Sequence, residues 1–290
     1  MEKHIFKFGA GSWAIVIPKA WVEKNSLEGK GSVDIREDEY GNILLSSEGK
    51  AVKRDVELLI SSKLAPESVS RMVGMYYRFG VSRLRLIATN GPAKKQFDSV
   101  ADTVARLCSG FEVIKRSSGE MILEEITDMK EVSLEKIVSR LGSLIFEELK
   151  GMGNTDTEEM GKTEELVNRF FMLGIRYLNI TQGRDSLRYL KFLQLLETIS
   201  DQIYEVSKIK ATGQTRRIFE QLNTEFGLCL KGQLGDYTSI EAAAEIKEAV
   251  LNSVKGARIG ALESYLLCEI SKNMSKIAEL GLNLERPSLI

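Results

Sequence analysis

The chain has 290 residues, 43% of them hydrophobic and 28% charged, with a formal net charge of -1. That length gives room for two or three domains with cores of their own, and the even charge balance leaves any contact with nucleic acid or membrane to local patches. Three scattered cysteines (Cys108, Cys229, Cys268), a single histidine (His4) and no long uncharged apolar run exclude a disulfide framework, a paired Glu-x-x-His site and a membrane span.

Residues 1–47 read as short strands around one short helix. Ile5–Phe8 and Trp13–Ile17 carry apolar and aromatic strand formers, separated by Gly9-Ala10-Gly11-Ser12. Pro18 opens a helix over Lys19–Lys24, because its fixed φ suits a first turn and its missing N–H costs nothing there. Gly29 and Gly31 end that helix, and Val33–Ile35 and Ile43–Leu45 follow as strands around Tyr40-Gly41-Asn42. So small a module has little core of its own, which makes pairing with a second copy physically attractive.

Residues 48–127 form a small α+β domain in the order β-α-β-α-β-β. Val56–Ile60 reads as a strand, Ala65–Phe79 as a helix with Pro66 in its first turn, and Ser82–Thr89 alternates like a half-buried strand. Ala93–Leu107 suits a second helix, and Phe111–Lys115 with Met121–Ile126 a hairpin around Ser117-Ser118-Gly119. No glycine-rich phosphate loop joins a strand to a helix.

Residues 128–290 change to a helical period, which the absence of proline between Ala93 and Arg286 permits. Apolar stripes run through Leu134, Ile137, Leu141 and Leu144, then Leu166, Phe170, Leu173 and Tyr177, then Leu190, Leu196, Ile199 and Ile203. The plan repeats with Ile218, Leu222, Phe226 and Leu230, a helix up to Lys255, and Leu262, Leu266, Ile270 and Met274. Thr155 with Glu158 and Thr238 with Glu241 have capping-box spacing, and Gly183 is a stop signal. Leu195–Asp201 aligns with Leu266–Lys272, so the chain reads as two consecutive three-helix units.

Two groups of residues carry candidate chemistry. Glu197, Asp201 and Glu205 stand at i, i+4 and i+8 on one helix face, where they repel one another unless a cation intervenes. A metal held by oxygen ligands relieves that repulsion; so does a lysine such as Lys208, or an arginine from a neighbouring helix. In the first module Lys3, His4, Lys7 and Lys19 are placed to meet phosphates and Ser12 to add a hydrogen bond, while Glu2, Glu23, Glu28 and the run Glu37-Asp38-Glu39 dilute the patch.

The run GSWAIVIPKAWVEK, residues 11–24, with SLEGKGSVDI after it, resembles the N-terminal signature of AbrB/SpoVT-type swapped-hairpin DNA-binding domains. The C-terminal half is similar to PhoU, the phosphate-uptake regulator, whose bundle helices carry a Glu-x-x-x-Asp motif matched here by Glu197 and Asp201. Together they resemble archaeal PhoU-type proteins with an AbrB-like N-terminal domain. The resemblance implies a homodimeric, non-catalytic, cytoplasmic regulator of phosphate uptake that contacts DNA through Lys3, His4, Lys7, Ser12 and Lys19. It also implies a divalent or iron-type metal ion on Glu197, Asp201, Glu205 and Glu164, and a transporter or sensor-kinase partner. The second unit departs from the motif, with Cys268 and Lys272 at the Glu and Asp positions, and Asn168 follows Glu164 where a second acid is usual. Two rivals stand beside this reading. One is an adaptor that binds no DNA and uses the first module only as a dimer clamp; the other is a metal-dependent hydrolase, for which no general base is evident.

Overall fold

The computed structural model describes residues 3–29, 32–37, 41–47, 54–127, 132–153, 156–181, 186–209, 212–233 and 236–280. The chain divides into two compact units, residues 1–53 and 54–290. Thr155, Gly183, Gly31, Asp38, Glu39 and Tyr40, all used in the sequence reading, lie outside the described residues.

In the first unit β1 (Ile5–Phe8) pairs antiparallel with β2 (Ser12–Ile15), and β3 (Val33–Glu37) with β4 (Ile43–Ser47), as two separate ribbons. Between them lies α1 (Lys19–Lys24), begun by Pro18 as expected. The second strand stops at Ile15 rather than Ile17, because Pro18 forces an extended approach and cannot donate to a ladder.

The second unit begins with the α+β part in the predicted order. Its elements are β5 (Asp55–Ser61), α2 (Pro66–Arg78), β6 (Arg83–Thr89), α3 (Lys94–Leu107), β7 (Phe111–Arg116) and β8 (Glu120–Glu125). The sheet order is β5-β6-β8-β7, with β5 parallel to β6 and the other neighbours antiparallel. Val69, Val73 and Tyr77 of α2 and Phe97, Val100 and Val104 of α3 bury against Leu84, Leu86 and Leu123. The opposite face is covered by charge: Arg85 binds Glu57 at 3.0 Å and Glu120 at 2.6 Å, and Arg83 binds Glu124 at 3.1 Å.

The helical part comprises α4 (Leu134–Gly151), α5 (Thr157–Thr181), α6 (Ser186–Ser207), α7 (Gly213–Gln233), α8 (Tyr237–Gly256) and α9 (Ala261–Glu279). Their stripes share one core containing Leu141, Ile145, Phe192, Leu196, Ile199, Leu222, Phe226, Ile270 and Met274. The start of α8 differs from expectation. Asp236, not Thr238, is the cap, its carboxylate accepting from the Ser239 N–H and from the Thr238 and Ser239 hydroxyls, so a nearer and charged acceptor displaces the threonine. Among the described residues no helix is long and apolar enough to cross a membrane.

Both parts of this unit are fastened together through α5. Arg176, only 1% exposed, donates to the carbonyls of Tyr77 (2.6 Å) and Val81 (3.1 Å), pairs with Glu125 at 2.7 Å, and lies over the Tyr77 ring. Asn179 donates to the Arg78 carbonyl and Arg169 to the Ser109 hydroxyl. The Asn179 contact satisfies the Arg78 carbonyl at the end of α2, and Arg176 adds a second donor to the Tyr77 carbonyl, which also accepts the Gly80 N–H.

Candidate functional sites

Lys3, His4, Lys7, Ser12 and Lys19 are all exposed. The β1–β2 register sets Lys7 opposite Trp13 and Phe8 opposite Ser12. Cross-strand partners share a face and neighbours alternate, so Lys7 lies with Ile5, Trp13 and Ile15, while Ser12 lies on the other face with Phe6, Phe8 and Ala14. The hairpin therefore does not bring Lys7 and Ser12 together. Lys19, on α1, is 3.3 Å from Glu23, an exposed pair that dilutes its charge.

The apolar residues of this unit make the stronger observation. No side chain described among residues 3–47 is buried, and Phe8 and Trp13 are 69% and 67% exposed. Ile5, Phe6, Ile15, Val16, Ile35 and Ile43 are exposed as well. Two-stranded ribbons of this kind are marginal alone in water, and both faces of the first one present apolar surface.

Among the described residues the bundle carries three buried carboxyls, Glu148, Glu225 and Glu263, and the first two interrupt the apolar stripes. Glu148 on α4 is 1% exposed and accepts from the Ser200 hydroxyl of α6 at 2.7 Å. Glu225 on α7 is fully buried and accepts from the Ser271 hydroxyl of α9, also at 2.7 Å. Ser200 and Ser271 are equivalent in the alignment of Leu195–Asp201 with Leu266–Lys272. One position beyond that alignment, Asn273 donates to the Gln202 side-chain oxygen at 3.2 Å. One hydrogen bond thus recurs in α4–α6 and in α7–α9.

Their electrostatic surroundings are opposite. Burial pushes Glu148 up to about 8, opposed by Ser200 and reinforced by the charges of Glu164, Asp201 and Glu147, and its Oε2 has no hydrogen-bond partner among the described residues. Burial pushes Glu225 up to about 7, opposed by Ser271 and by the positive charge of Lys247 on α8. Where the first half places acids (Glu164, Asp201), the second places Lys247 facing Glu225, and Lys272 aligned with Asp201.

Around Glu148 the metal residues implied by the resemblance separate into two groups. Glu197 is raised to about 7 by burial and by the charges of Asp201 and Glu164, with Arg78 of α2 opposing. Burial also raises Glu164, which accepts from the Asn168 amide at 2.6 Å, and Asp201. Glu205 instead turns outward to Lys208 at 2.6 Å. Among the described residues no group of three His, Cys, Asp or Glu side chains is placed to hold a metal ion. The four implied ligands do not fit a ready metal cage in this arrangement, and what Glu148 and Glu197 can do as they stand is hold protons near neutral pH.

Sequence reasoning missed Glu148 and Glu225, although a signal was present. Each occupies the position seven residues after an apolar stripe residue (Leu141 and Ile218), where a charged side chain is out of place on a buried face. Arg78 and Arg176 carried no such signal, since their partners lie far away in sequence.

Residues 9–53 match the family described as antidote-toxin recognition MazE, bacterial antitoxin. The N-terminal unit is therefore similar to a MazE/AbrB-like module, the kind of domain expected from residues 11–24. No curated protein and no solved structure matched the chain.

Proposed function

We propose that the protein is a homodimeric DNA-binding regulator in which the N-terminal unit faces DNA and the helical part senses an effector or holds a protein partner. The exposed apolar hairpin carries this reading: in a MazE/AbrB-like module a second copy covers surface that one copy leaves in water. Dimerisation doubles Lys3, Lys7 and Lys19, turning a weak patch into one long enough to follow a phosphate backbone. The recurrence of the Glu–Ser pair across two three-helix units supports the PhoU-like reading of the bundle, and with it a link to phosphate uptake. The raised carboxyls of α4–α6 make that half of the bundle the effector-responsive one. A divalent ion there requires Glu164, Glu197 and Asp201 to swing together.

The test is binding of the full-length protein to fragments of its own genome over a range of salt. Saturable binding is expected, with the slope of log affinity against log salt reduced by about 2 per dimer for each of Lys7→Ala and Lys19→Ala. A dimer that binds no fragment even at low salt overturns the DNA reading. The adaptor then takes its place; the Lys19–Glu23 pair, which consumes a cation of the patch, already favours it.

A further inference from the structure

We propose that β5 is a docking edge for a second copy of this chain, pairing antiparallel with its own counterpart so that two four-stranded sheets become one of eight strands. Among the described residues β5 has β6 on one side and no strand on the other, and β7 is the opposite edge of the sheet. Open edges invite pairing with another chain, and natural proteins defend them with charges, bulges or prolines.

Here the two edges are defended unequally. Strand β7 has a bulge between Val113 and Lys115 and carries Glu112, Lys115 and Arg116. By contrast, β5, DVELLIS, pairs with β6 in unbroken register over all seven residues and contains neither proline nor lysine. Its Glu57 is already held by Arg85, leaving Asp55 as the one exposed acid on the strand without an ion-pair partner in the described structure. Apolar surface also collects there. Leu59 is 68% exposed, and Val56 and Leu58 stay half-buried although Leu84 and Leu86, their partners on β6, are fully buried.

Antiparallel pairing centred on Leu58 uses the full strand. It sets Val56 opposite Ile60, Glu57 opposite Leu59 and Asp55 opposite Ser61, keeping the core face continuous because side chains alternate with period two. No carboxylate then faces another, whereas centring the pair on Glu57 would set that residue against itself. The occupant is a second copy because the inference rests on the dimeric reading above. Only residues 48–54 lie between β4 and β5, and so short a tether raises the effective concentration of one β5 for the other.

The experiment uses full-length protein carrying Cys268→Ser, since Cys108 and Cys229 are buried. Leu58→Cys is expected to give a covalent dimer on mild oxidation, and Ile114→Cys on the opposite edge to remain unlinked. Sedimentation of the unoxidised protein is measured in parallel. A dimer in which Leu58→Cys links no better than Ile114→Cys overturns the edge pairing and leaves the N-terminal dimer standing. A monomer overturns both. Should Leu58→Cys misfold, hydrogen exchange of the unsubstituted protein decides: slower exchange along β5 than along β7 upholds the pairing, and equal exchange at the two edges removes it.

Discussion

Replacing Glu148 by glutamine keeps the shape of a side chain that is 1% exposed and keeps an acceptor for the Ser200 hydroxyl, while removing the charge. The carboxyl is raised from 4.5 to about 8 in the folded chain. A carboxyl held higher in the folded state than in the unfolded one favours folding fully below the unfolded value, and that contribution is lost as pH rises through the folded value. Between pH 5 and pH 8.5 the native protein should therefore lose about 4 kcal/mol through this group alone, with about 3 kcal/mol of that already lost at pH 7. Glutamine does not titrate, so Glu148→Gln should unfold within about 1 kcal/mol of the native chain at pH 5, the residual cost being an amide group left without a partner. At pH 8.5 it should be the more stable protein by about 3 kcal/mol. Urea unfolding followed by far-ultraviolet circular dichroism at both pH values, with equal m-values, measures the difference directly. Parallel stability curves for the two proteins across this range would refute the placement of an unpaired, proton-holding carboxyl in the first half of the bundle.

Two further expectations concern packing within residues 54–290. Arg176→Met should cost about 3–5 kcal/mol, because it strands Glu125 and the Val81 carbonyl and takes one of two donors from the Tyr77 carbonyl; the Arg176→Met/Glu125→Met double variant should recover part of that loss in chemical unfolding. Gly174→Ala places a Cβ 2.7 Å from the Leu193 Cδ1 at the crossing of α5 and α6, so its melting temperature should fall by an amount equivalent to about 1–3 kcal/mol. An unchanged melting point would refute so close a crossing of the two helices.

The order of elements was legible because periodicity is local. Alternation in Arg83–Thr89 and the three- and four-residue spacing of Leu166, Phe170, Leu173 and Tyr177 each need only a dozen neighbouring residues to be seen. The internal alignment compares two distant segments and sets Ser200 against Ser271, and each of these serines donates to a buried glutamate. Three matters were not legible. The start of α8 depended on which of two nearby oxygens reached the free N–H groups first. The separation of Lys7 from Ser12 depended on hairpin register, since a one-residue slip moves a side chain to the other face. The surroundings of Glu197 depended on tertiary structure, because the opposing charge of Arg78 comes from a helix more than a hundred residues upstream, whereas the Glu205–Lys208 pair is local and was readable from spacing.

By itself, then, the sequence determined the elements, the change from strand to helical period after residue 127, and the likeness of the N-terminal residues to a MazE/AbrB-like module. Tertiary structure decided how the buried carboxyls are compensated. Burial and the distance between charges set the state of a carboxyl, and neither is a property of neighbouring residues in the chain. Glu148 and Glu225 stand at equivalent points of two similar units. They differ because α5 and α6 bring Glu164 and Asp201 to the first, and α8 brings Lys247 to the second.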